Sequence, residues 1–347
     1  MKAIEKLTWL ALLSVLVYSC TDDAPPPPDV SHLRAPLTVV RYDRALMSLD
    51  TARLPEEVAA LEARYPAFTD AYLRYILPLR RGDFSPEEQN LMLRAFVTYP
   101  LITELDSLVQ VRFPDEALAA KREEFSQALR YLQYYLPDAA VPDTMLTFLA
   151  QFEVAAALYG EGDVAVGLEF FLGPDYDYQR VDPRETIFSN YLTRTYTPEH
   201  LVPKLMRVLI EEKVPAPRAG RLVDYLVQEG KKLYLLKKTL PTAPDSILHE
   251  VTAEQMDWLR ANEVAIYAHL QKEKQFYSTD ATLIRKLTQP APSSQGMPAE
   301  APGRAVNYLG LKIVEAYVEA NPQTTMPELL RITDGQKMLT GARYKPR

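Results

Sequence analysis

The chain is poor in the residues that carry most recognisable chemistry. It has one cysteine and four histidines in 347 residues. The lone cysteine, Cys20, excludes a disulfide within the chain, so packing alone must hold a folded body together. His32, His200, His249 and His269 never stand four apart, which excludes the H-E-x-x-H spacing that sets two imidazoles on one helical turn for zinc. No G-x-S-x-G elbow, P-loop or G-x-G-x-x-G turn occurs; Gly160-Glu161-Gly162 lacks the further glycine and reads as a turn. A net charge of −7 without a strong basic stripe argues against a nucleic-acid partner. Lys231, Lys232, Lys237 and Lys238 form the densest basic stretch, but at about 100° per residue they scatter around a helix and read as a solvated face. No period of about 20 to 50 residues recurs, which excludes a solenoid.

The position of Cys20 is more informative than its rarity. Lys2 and Lys6 precede an apolar run from Leu10 to Val17, and Val17-Tyr18-Ser19-Cys20 has the branched and small residues of a lipoprotein processing site. The run is shorter than the ~20 residues of a membrane-spanning helix. We therefore expect a signal peptide over 1–19, acylation of Cys20 and anchoring to a lipid membrane of the cell envelope by acyl chains. Thr21, Asp22 and Asp23 lead into Pro25 to Pro28, an extended tether over 20–35. The acidic pair also resembles, in part, the export signals of some surface lipoproteins.

With 47% hydrophobic and 24% charged residues, the chain has the composition of a globular protein with a large core. Beyond the tether its patterning predicts one α+β domain over 36–347, predominantly helical with a small sheet: a helical portion over 36–142, then a core over 143–347. Pro55-Glu56-Glu57 and Ser85-Pro86-Glu87-Glu88 open helices with proline and acids in the first turn, and 114–135 is a third. Thr144 to Tyr159 and Val164 to Leu172, rich in apolar, aromatic and β-branched residues, read as two strands around a turn at 160–163, with a helix at 145–159 as the alternative. Further helices run from Thr197 to about Val214, from Ala219 to Leu240, and from a Thr252/Gln255 capping box to about Lys274. A second box, Thr325/Glu328, opens another helix, and Gln289 to Gly303 is a loop.

Ordered motifs run through the second half: Leu168-Glu169-Phe170-Phe171-Leu172-Gly173 with Tyr176 and Tyr178, then Glu229-Gly230-Lys231-Lys232-Leu233-Tyr234 with Leu240-Pro241 and Asp245. Trp258, Asn262 and Glu263 come next, then Tyr277-Ser278-Thr279-Asp280, Ala291-Pro292 to Pro302-Gly303-Arg304, Tyr308-Leu309-Gly310, and Tyr344-Lys345-Pro346. In this order, over roughly 170 to 346, they resemble the GldB family of gliding-motility lipoproteins. The resemblance implies envelope proteins of the gliding machinery as partners and carries no reaction with it. A more distant similarity, of a small sheet, a helix and a second helix bearing Glu-Gly, is to zinc peptidases. It implies a degenerate zincin-like core without metal or other cofactor, in which Val202 and Met206 stand where ligands would face the pocket.

Two glutamates stand out. Glu229 shares a helical stripe with Leu222, Leu226, Leu233 and Leu236, and Glu263 shares one with Met256, Leu259, Ile266 and Leu270. A buried carboxylate needs a partner, and Arg304 or Tyr308 is expected to supply it, with Arg304 the expected partner of Glu229. These four residues form the candidate cleft or buried network. Asp175 and Asp177 read as solvated acids, and the 21 tyrosines fit a core as well as a glycan-binding face. No catalytic residue is assigned. The leading expectation is a non-enzymatic accessory or scaffold lipoprotein; a hydrolase using Glu229 or Glu263 and an envelope glycan- or peptide-binding module are the alternatives.

Overall fold

The computed structural model describes residues 26–347. The signal peptide, Cys20 and the Asp22-Asp23 pair lie outside the described residues. The architecture is α+β, mostly helical around one four-stranded sheet of order β1-β2-β4-β3. β1 (Thr38–Arg41) runs parallel to β2 (Thr144–Phe148), β2 parallel to β4 (Asp163–Gly167), and β3 (Ala156–Tyr159) antiparallel to β4. Leu146 pairs with Ala165, and Val40 with Leu146. Buried on both faces, β2 and β4 read as continuous apolar runs rather than alternating ones.

The sheet divides two cores. On one side Leu146, Phe148 and Ala165 pack with Tyr42, Phe68 and Tyr72 from α1 (Tyr42–Met47), α3 (Pro66–Ala71) and a π-helical turn at Tyr72–Ile76. The Tyr42 and Phe68 rings meet edge to face at 4.8 Å. α2 (Leu54–Arg64) and α4 (Pro86–Val97) close this core, α4 opening on a Ser85/Glu88 capping box. On the other side Met145, Val164 and Val166 join the larger core. It is built from α5 (Pro100–Arg112), α6 (Asp115–Tyr135), a four-residue α7 (Asn190–Thr193), α8 (Leu201–Lys213) and α9 (Leu222–Thr239). Next in the chain are α10 (Asp245–His249), α11 (Ala253–Ala261), α12 (Glu263–Lys272) and α13 (Ala281–Thr288), then α14 (Ala305–Ala320), α15 (Met326–Arg331) and α16 (Gly335–Ala342).

α9 and α14 cross backbone against backbone. A Cβ at Gly230 would lie 2.2 Å from the Gly310 carbonyl oxygen, and one at Gly310 would lie 2.0 Å from that of Leu226. The glycines of two sequence motifs are therefore steric requirements of one helix crossing.

Several local expectations need correction. β1 carries too short a pattern to be read, and its partner β2 lies a hundred residues away, with no hairpin signal between them. The expected strand 144–159 is two strands separated by a turn in which Gln151 and Phe152 take positive φ, and 168–171 is a 3₁₀ turn rather than strand. The fully buried Glu169 closes that turn: its Oε1 accepts from the backbone N–H groups of Ala150 at 2.7 Å and Phe152 at 3.2 Å. The helix expected from 252 to 274 breaks at Asn262, whose side-chain amide donates back to the Trp258 carbonyl at 2.8 Å. Lys231 is not solvated; it is 1% exposed, and its Nζ donates to the carbonyls of Leu330 at 2.9 Å and Ile332 at 2.8 Å at the end of α15. There it meets the negative end of the helix dipole. Burial and the neighbouring Lys232 lower its pKa to about 8.

Candidate functional site

One helix face organises the most polar interior region. On α8, Lys204, Arg207 and Glu211 fall at i, i+3 and i+7, so they share a face. Val202 and Met206 lie on the opposite side of α8, about 160–200° from Lys204, and both are fully buried in the larger core. The expectation that those two positions face a pocket is thus corrected by helix geometry. The face that does line a cleft presents two cations and an acid. From α9, Glu229 and Lys232 complete the opposing wall.

At the head of this cleft sits Glu250, just past α10 and 7% exposed. Its Oε1 meets Lys204 Nζ at 2.5 Å and Arg207 Nε at 3.6 Å, and its Oε2 accepts from Arg304 Nη2 at 2.9 Å. Arg194 Nη2 donates to the Glu250 carbonyl at 3.2 Å, so four cations gather about one residue. Burial opposes ionisation of Glu250, but the charges of Arg207, Lys204 and Arg304 outweigh it and hold the carboxyl well below the usual range. The same crowding acts on Arg194, whose pKa is lowered by burial and by the nearby Arg304 guanidinium. Its Nε is buried without a hydrogen-bond partner among the described residues.

The backbone holding the central pair is strained. Glu250 (φ 56°) and Arg304 (φ 64°) are both non-glycine residues in the left-handed region. Such residues cost about 1 kcal/mol or more each, and they persist where the surroundings over-determine them, commonly at functional sites. The loop behind Arg304 shows how: Ser294 Oγ donates to the Pro302 carbonyl at 2.6 Å and accepts from the Ala305 N–H at 3.1 Å. Gly303 is pressed so closely that an added Cβ would lie 2.0 Å from the Ala291 carbonyl oxygen. The Ala-Pro to Pro-Gly-Arg motif is therefore a rigid mount that delivers Arg304 to Glu250.

The structure divides the four network residues named from the sequence between two places: Glu229 and Arg304 line the cleft without pairing, and Glu263 meets Tyr308, as expected, away from it. Glu229 is a quarter exposed and pairs with Lys232 at 2.8 Å, not with Arg304. Its stripe does face inward, but at that level the inner surface is the cleft rather than packed hydrocarbon. Arg304 belongs to Glu250. Glu263 is buried elsewhere, its Oε2 accepting from Tyr308 Oη at 3.4 Å and its Oε1 from Tyr344 Oη at 2.7 Å and the Arg347 N–H at 3.1 Å, a lock on the C-terminal residues. Asp175 is exposed, Asp177 caps the Gln179 N–H at 3.2 Å, and Tyr176 and Tyr178 pack into an aromatic cluster with Phe152. Glu250 has no counterpart among the residues that the sequence pattern singles out. The one available signal is Lys204 with Arg207, like charges one turn apart that need an acid from elsewhere.

What this arrangement can do is hold negative charge. Burial lowers His200 to about 4 and His249 to about 3, so both imidazoles are neutral near pH 7 and weak as bases. The Thr197 Oγ1 and His200 Nδ1 contact, at 3.0 Å, closes the turn before α8, and neither residue lines the cleft. The donor set does not suit zinc: the carboxylates of Glu250 and Glu229 are already paired with cations, which would repel a divalent ion. Among the described residues no group of three or more His, Cys, Asp or Glu side chains is placed to hold a metal.

A family model described as gliding motility protein GldB matches residues 23–346. No curated protein and no solved structure matches the chain.

Proposed function

The chain belongs to the GldB family of gliding motility proteins, and from that premise we propose that it is a lipid-anchored, non-enzymatic accessory component of the gliding machinery. Acyl chains on Cys20 would hold it to an envelope membrane, with the proline-rich tether as spacer. Among the described residues no helix is long and apolar enough to cross a membrane. The observation that carries the non-enzymatic reading is the face α8 turns to the cleft. Where a hydrolase would present metal ligands or a nucleophile beside a base, it presents Lys204 and Arg207, bound to Glu250.

The test is replacement of the native gene in a gliding host by one encoding Cys20→Ser. The expected outcome is a folded protein missing from the membrane fraction and a loss of gliding. Normal gliding by that strain, with the protein released from membranes, would remove the anchor from the mechanism.

A further inference from the structure

We propose that the cavity between α7, the start of α8 and the 289–303 loop binds a small carboxylate with an apolar body, either a free acid of amino-acid size or the C-terminal residue of a peptide. The inference concerns the cleft alone and stands whether or not the chain is anchored or serves motility. The cavity has a volume of about 220 Å³ and a lining of two unlike kinds. Phe170, Ile187, Tyr191 and Leu192 contribute apolar groups to it, and Arg194, Lys204 and Arg304 contribute cations. A ligand that uses both carries its charge directly beside hydrocarbon.

The charged part of the lining has donors to spare. Among the described residues Arg304 donates only from Nη2, to Glu250 Oε2 at 2.9 Å and to the His249 carbonyl at 3.5 Å, which leaves Nε and Nη1. Lys204 Nζ meets a single oxygen, at 2.5 Å. Glu250 and the exposed Glu153 are the only acids on the lining. Glu250 is shared among Lys204, Arg207 and Arg304, so the hub keeps an excess of positive charge, in a chain whose net charge is −7. A monoanion would answer that excess without breaking the Glu250 pairs. A planar carboxylate matches the fork of a guanidinium already held in place by its strained backbone and rigid loop. Inorganic phosphate would bring more charge beside Glu250 and has no apolar part to cover Phe170 and Leu192.

Isothermal titration of the purified chain, lacking only its signal peptide, tests this with three probes: N-acetyl-leucine, N-acetyl-leucinamide and inorganic phosphate. We expect saturable binding of N-acetyl-leucine, none of the neutral amide, and weaker binding of phosphate. A peptide ending in leucine that binds more tightly than N-acetyl-leucine would identify the ligand as a chain end; equal affinity would identify a free acid. Lys204→Gln should weaken the affinity about tenfold, the scale of one charge-assisted hydrogen bond. Lys204 is part-exposed, and its loss leaves Arg207 and Arg304 on Glu250, so the variant should fold. Leu192→Asp, in the apolar part of the lining, should abolish binding with the cations intact. Binding of the amide as tightly as the acid, phosphate as the preferred ligand, or no saturable binding of N-acetyl-leucine by the wild-type chain would each overturn the proposal.

Discussion

Replacing Glu169 with glutamine isolates one buried carboxyl whose protonation is coupled to folding. Glu169 is fully buried; Oε1 takes two backbone N–H groups of the strained 151–152 turn, and Oε2 has no partner among the described residues. Burial raises its pKa from 4.5 to about 7, against the lowering effect of the Ala150 and Phe152 N–H groups. Because the folded value lies above the unfolded one, the stability linked to this proton is complete below about pH 4.5 and is lost as the pH rises through about 7. A rise of that size corresponds to about 3 kcal/mol. Glutamine keeps the Oε1 acceptor and cannot ionise. Urea unfolding of both proteins between about pH 5 and about pH 8 should therefore show the variant gaining on wild type by up to about 3 kcal/mol across that range. Taking the difference cancels the contributions of His200 and His249, which run in the opposite sense because burial lowers their pKa values. Glu250 is held well below the usual carboxylate range and stays ionised throughout. A difference between the two proteins that stays flat with pH would refute the assignment of a buried, neutral-leaning Glu169.

Other perturbations test the hub and its supports. Glu250→Gln strips three cations of their counter-charge and should destabilise the fold by about 3 kcal/mol; an unchanged melting temperature would mean that those side chains relax freely into solvent. Glu229→Gln removes a part-exposed pair with Lys232 and should change stability by no more than about 1 kcal/mol by chemical denaturation, and a larger loss would return Glu229 to a buried network. Gly230→Ala forces a methyl group into the Gly310 carbonyl and should lower stability by about 1–3 kcal/mol or more through separation of α9 and α14; a neutral result would show the crossing to be loose.

The features legible from sequence are those with local causes. Thr252/Gln255 and Thr325/Glu328 signal helix starts within four residues, and both boxes form; Ser85-Pro86-Glu87-Glu88 signals a third start by its proline and first-turn acids. The doubly buried β2 and β4 announce themselves as apolar runs. The features that escape depend on distant partners. Lys231 looks like one of four solvated lysines until carbonyls about a hundred residues away are brought to it. Glu250 looks like an ordinary acid after a short helix, since its cations come from positions 204, 207 and 304 and no spacing rule connects them. The motif around Arg304 marks one end of that pair, and only the fold supplies the other.

Joined to the proposed role in gliding, the cleft proposal yields the central claim that this member of the GldB family serves motility through what its cationic cleft holds. Gliding speed in a strain carrying Lys204→Gln, with Cys20 and the remaining cations untouched, tests it most directly. We predict normal protein abundance in the membrane fraction, a melting temperature close to wild type, and gliding that is lost or sharply slowed. Gliding at wild-type speed by that strain would contradict the claim.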